Sequence, residues 1–286
     1  MKVSAELLRV LMRTIRQVEC LEGVYNRSEQ KHIYLKQVMN NELYFACKIK
    51  NQNLKKINFY ENMILGREDK YFDLLNESSE KIKHRELNNI LIEELKTNIT
   101  YDTYEPLELE VVNLDTIDPL VNAALIYYKC YLNFPNSDMK NEFATTITNC
   151  YLFKKNVSTF NILFSEALNS NNVIFNAAML DEEKFVVIFL KLLEGQCKKN
   201  YERIVNTDNL ILENKKYFIK YGCELEKYIN SNIVFTISNF TEVNNISYNT
   251  AKKYLRELVD LEILQPIKIG KNNAFVYGQM YSIWIK

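Results

Sequence analysis

The sequence predicts a mainly helical protein, and three observations carry that expectation. Its 286 residues contain only six Gly and four Pro, and no Gly falls between Gly66 and Gly195, so long stretches lack the residues that interrupt helices. Apolar residues recur at helical spacing through most of the chain. Strand-like alternation is confined to the neighbourhood of Gly270. With 47% hydrophobic and 25% charged residues, the chain has the apolar content for two or three compact units.

Taken in order, Leu7, Leu8, Leu11, Met12, Ile15, Val18 and Leu21 recur at helical spacing and mark an amphipathic helix over 5–24 that ends near Gly23. Residues 30–100 are polar but keep apolar periodicity, as in Leu87, Ile90, Leu91 and Leu95, which predicts an N-terminal helical layer over 1–100. Asp118-Pro119 then gives a helix start, with Asp as N-cap and Pro at the first helical position. A buried helix follows over 120–131. A break at 134–138 and renewed helical character over 143–153 complete a helix-loop-helix. Further helices are expected over 158–168 and 181–193, and a polar connection over 206–216 closes a helical core spanning 101–219.

The last segment, 220–286, has a different pattern. A helix over 225–229 precedes a short one over 238–243, a turn at Asn244-Asn245, a longer helix over 247–261 and a strand pair around Gly270. This order predicts a winged helix-turn-helix. Ala251, Leu255, Leu258 and Val259 form the inward stripe of the longer helix, with Ser247 as its N-cap. Tyr248, Asn249, Lys252, Lys253 and Arg256 occupy the outward face, where a recognition helix meets base edges and phosphates. In the hairpin, Lys268 and Lys271 are placed to touch the phosphate backbone. Glu257, Asp260 and Glu262 lower the positive charge nearby, so protein contact or dimerisation is the competing expectation for this segment.

Composition narrows the function classes. Basic and acidic residues balance at 36 each, so any attraction to DNA is local, not global. The apolar runs are too short to span a bilayer, and residues 1–18 lack the apolar stretch and cleavage site of a signal peptide, so a cytoplasmic protein is expected. Cys20, Cys47, Cys130, Cys150, Cys197 and Cys223 lie at wide, irregular intervals without a CxxC pair, which reads as reduced core thiols and no metal site. His32 and His84 lie in polar surroundings and are expected at the surface.

The pattern Ile246-Ser247-Tyr248-Asn249-Thr250-Ala251-Lys252-Lys253-Tyr254-Leu255 resembles the terminal winged helix attached to many bacterial Fic (filamentation induced by cAMP) proteins. Upstream, Asp118-Pro119-Leu120-Val121-Asn122-Ala123-Ala124-Leu125 resembles the helix leading into the Fic signature, and Ser165-Glu166-Ala167-Leu168 resembles the start of its downstream helix. The likeness covers about 118–175 plus the C-terminal module, and in its register the signature is degenerate. Phe134 stands at the signature His, Pro135 and Asp138 match, Met139-Lys140-Asn141 replace Gly-Asn-Gly, and Glu142 and Thr145 replace two Arg.

The resemblance implies AMP transfer from ATP with magnesium, and this sequence has lost the groups for it. A phenyl ring at Phe134 accepts no proton, which forfeits general-base help worth about 10²–10⁴-fold. Met139 and Asn141 bring Cβ atoms where Gly lets backbone amides reach a phosphate, although Lys140 retains a charge for it. Near the N-terminus Ala46, Lys50 and Asn51 resemble a degenerate form of the family's inhibitory helix motif, with Lys50 in place of its Glu. The expectation is a non-catalytic, cofactor-free, Fic-like protein acting as a DNA-binding transcription regulator or signalling adaptor, with a homodimer or a protein partner compatible with it. The alternative is a divergent adenylyltransferase using ATP and magnesium.

Overall fold

A computed structural model describes residues 4–50, 59–60, 118–133 and 140–286. It is mainly helical, as expected. The first elements are α1 (Ala5–Arg27), α2 (Lys31–Lys50), α3 (Pro119–Asn133), α4 (Lys140–Lys154), α5 (Ser165–Ala178) and α6 (Glu182–Phe218). A 3-10 turn at Ile219–Tyr221 leads to α7 (Cys223–Ser231), β1 (Val234–Thr236), α8 (Ile237–Asn244), α9 (Tyr248–Asp260), β2 (Leu264–Ile269), β3 (Asn272–Tyr277) and α10 (Gly278–Trp284). No described helix is long and apolar enough to cross a membrane.

The described chain divides into two compact units, one from residues up to 23 together with 118–133 and 140–199, the other from 24–50, 59–60 and 200–286. The second unit thus takes in α2 and the end of α6 besides the 220–286 segment. In the first unit, α3 begins as its sequence dictates: Asp118 Oδ1 accepts the backbone N–H of Leu120 at 2.8 Å, and Pro119 occupies the first helical position, where no N–H is needed. Helices α3 and α4 pack against each other. Tyr127 of α3 sits inside a cage of Phe164, Phe175, Phe185 and Phe189, with ring centroids 5.4 to 6.1 Å from its own.

Several expectations need correction. The helix expected from 158 begins instead at Ser165, because other groups take the backbone amides of the preceding loop. Glu22 Oε1 accepts the amides of Thr159 and Phe160, each at 2.9 Å, and the Ser158 hydroxyl at 2.6 Å. Asn149 Oδ1 accepts the Ile162 amide at 2.8 Å while its Nδ2 donates to the Ile162 carbonyl at 2.8 Å. With three of its amides held by side chains, the loop has less to gain from winding into a helix.

The polar connection expected over 206–216 is also helical, as part of the 37-residue α6. Two of its polar residues, Thr207 and Asn214, are buried partners and not turn formers. Thr207 accepts the indole N–H of Trp284 at 2.9 Å, and Asn214 donates to the Tyr277 hydroxyl at 2.8 Å. Among the cysteines, Cys130 and Cys197 are buried, but Cys20 is exposed on α1, against the expectation of a core thiol. Burial raises the thiol pKa of Cys130 to about 12. His32 is exposed; its pKa is lowered by partial desolvation and by nearby Lys227. His84, most of the 30–100 layer and the change of pattern near 101–106 lie outside the described residues.

The second unit is built around α2, the end of α6 and the C-terminal elements. Tyr34 of α2 donates to Asp208 of α6, and burial together with that bond holds its phenol well above the usual range. Asn41 donates to the Trp284 carbonyl at 2.5 Å and Gln37 to the Asn230 carbonyl at 3.3 Å, so α2 is tied to both α10 and α7. β1, β3 and β2 form an antiparallel sheet in that order, with Val234 opposite Val276 and Ile269 opposite Asn272. Gly270, at φ +57, takes the left-handed conformation at the two-residue turn joining β2 to β3. β1 and α10 were not foreseen in the sequence.

Candidate nucleic-acid interface

Helix α8, a short turn and helix α9 form the centre of the candidate site. The start of α8 is fixed by a capping box: Thr236 Oγ1 accepts the Asn239 amide at 3.1 Å while the Asn239 side chain accepts the Thr236 amide at 3.3 Å. The chain reverses at Asn245, left-handed at φ +48, and the Ile246 amide donates back to the Thr241 carbonyl at 3.3 Å. Ser247 then caps α9, its hydroxyl accepting the Thr250 amide at 3.1 Å.

The helical period sorts the side chains of α9. Ala251, Leu255 and Leu258 are fully buried against the rest of the unit. Val259, expected in the same stripe, is only half-buried because it borders an open groove. Tyr248, Asn249, Lys252, Lys253 and Arg256 are all exposed, so the five residues expected on the outward face do share it. Lys268 on β2 and Lys271 at the hairpin turn are exposed as well. Lys252, Arg256, Lys268 and Lys271 form no ion pair with any described residue.

The acidic residue that bears most directly on this face is neutralised from the other side. Lys220 Nζ reaches Glu257 Oε2 at 2.6 Å and the Tyr221 hydroxyl donates to the same oxygen. These bonds, with Lys253 adding a smaller attraction, hold the Glu257 carboxyl below its ordinary value, and Lys220 is shifted upward in response. Tyr221 also packs on Tyr254, with ring centroids 4.6 Å apart. The 3-10 turn therefore clamps the second half of α9 by a ring contact and a shared carboxylate. Nothing in the local sequence signalled this clamp, since Glu257 lies 36 residues beyond Tyr221.

Between α9 and the hairpin lies a groove of about 520 Å³. Its floor is apolar, from Ile237, Val259, Ile267 and Phe275, and its rim carries Lys252, Arg256 and Lys268 against a single carboxylate, Asp260.

The degenerate motif positions fare differently. Phe134, Pro135 and Asp138 lie outside the described residues, as does Asn51. Lys140 and Glu142 fall in the first turn of α4, and Thr145 is buried one turn later on the same helix. Ala46 is buried on α2 and Lys50 ends that helix. No protein-family model matches the chain.

Proposed function

We propose that the 220–286 segment is a winged helix-turn-helix that binds duplex DNA, with α9 as the recognition helix and the β2–β3 hairpin as a wing on the adjoining backbone, and that the chain acts as a DNA-binding regulator or adaptor. The observation that carries this reading is the outward face of α9. It presents two lysines and an arginine with Tyr248 and Asn249 on one exposed surface, with two more exposed lysines on the hairpin beside it. Lysine and arginine in this arrangement suit phosphates, and asparagine near the N-terminus of the helix suits an adenine edge. The element order of α7, β1, α8, α9 and the hairpin also supports it. The degenerate Fic-like signature, with Phe134 where a base is required, agrees with a chain that acts through this segment and not by AMP transfer.

The test is fluorescence anisotropy with a mixed duplex pool across a salt series. Three to five phosphate contacts give a slope of log affinity against log salt of roughly −3 to −5. The triple variant Lys252→Glu/Lys253→Glu/Arg256→Glu is expected to lose at least tenfold in affinity and to flatten that slope. Equal binding by wild type and variant removes α9 from the interface.

A further inference from the structure

The groove between α9 and the hairpin has features that DNA contact does not use. A duplex is met by the rim; the apolar floor of Ile237, Val259, Ile267 and Phe275 lies beneath it and offers a phosphodiester nothing to pair with. Its volume of about 520 Å³ falls within the range of small-molecule sites, which run from roughly 300 to 1,000 Å³. Three cations border it against one carboxylate, and none of the three is paired with a described residue. Lys252 and Arg256 are one helical turn apart on α9, so two positive charges converge from one wall while Lys268 approaches from the other.

We propose that this groove binds a small amphipathic organic anion, with its apolar body on the floor and its acidic group held by Lys252, Arg256 and Lys268, and that occupancy excludes DNA. The exclusion rests on the DNA-binding reading above; the ligand site does not. An anion here engages the same three cations that would face the phosphates, so ligand and DNA compete for one set of charges. The occupant is an effector of the DNA-binding surface.

Anilinonaphthalene sulfonate, an aromatic sulfonate whose fluorescence rises in an apolar site, serves as the probe. It is titrated into the full chain without DNA, then into the protein–DNA mixture while anisotropy is followed. Saturable binding is expected. It should weaken at least tenfold in Arg256→Gln/Lys268→Gln and in Ile267→Asp, and stay unchanged in Leu180→Ser, which removes an exposed apolar side chain elsewhere. Because Ile267→Asp alone risks disturbing the hairpin, the surface double variant is the deciding one, with circular dichroism checking that each is folded. The probe should also raise the apparent Kd for DNA in proportion to its occupancy. Equal probe binding by the double variant and wild type overturns the site, and undisturbed DNA binding at saturating probe overturns the exclusion. Groove-dependent probe binding by a chain that binds no DNA upholds the site and rejects the DNA reading alone.

Discussion

At the residue scale, Glu22 shows how one side chain decides the course of a loop. Its two oxygens gather the amides of Thr159 and Phe160 and the hydroxyls of Ser158 and Thr159. Burial pushes its pKa upward, but those hydrogen bonds outweigh burial and leave it below the ordinary 4.5. Because the folded pKa is depressed, the stabilisation is fully present above pH 4.5 and is lost as pH falls through the folded value. Glu22→Gln should therefore cost about 2 kcal/mol at neutral pH, and the gap from wild type should close in acid; urea unfolding at pH 7 and pH 3 measures both. On α9, Ser247→Ala removes the side-chain acceptor at the N-cap and should lower stability by about 1 kcal/mol in the same assay.

At the element scale, the parts that were legible in the sequence are those whose instructions are local. The start of α3 is written in Asp118-Pro119, and the course of α8, turn and α9 in Asn245, Ser247 and the buried spacing of Ala251, Leu255 and Leu258. The five exposed residues of α9 in the candidate interface followed from the same period, and Lys268 and Lys271 from the strand alternation around Gly270. What escaped notice depends on distant partners. The 158–164 loop is held by a carboxylate 136 residues away, and the second half of α6 looks like a linker until Thr207 and Asn214 are seen paired with Trp284 and Tyr277. β1 is three residues long, too short for alternation to register, although Val234 and Phe235 are good strand formers. The hairpin turn makes its own prediction. Gly270→Val forces a β-branched residue to φ +57 and should cost at least about 1 kcal/mol, read as a lowered urea midpoint with an unchanged slope.

At the scale of the whole molecule, the second unit is assembled from segments far apart in sequence. Trp284, the sole tryptophan, is fully buried; it donates to Thr207, lies under Arg203 and accepts from Asn41 through its carbonyl. Trp284→Ala should destabilise this unit by about 3–5 kcal/mol, measured by far-ultraviolet circular dichroism during denaturation. In the wild-type chain the fluorescence of the same indole reports loss of the packing around Thr207 and Asn41.

The bond from Asn41 to Trp284 joins residues 243 apart, and that separation sets a timetable for biosynthesis. At roughly 5–20 residues per second, a ribosome needs about 12–50 s to travel from one partner to the other. Tyr34 waits 174 residues for Asp208 and Gln37 193 residues for Asn230, while Asn41 waits the whole interval for Trp284. Nascent α2 therefore holds these polar side chains without their final partners until the end of the chain is made, and a chain cut short before Trp284 leaves Asn41 without its bond.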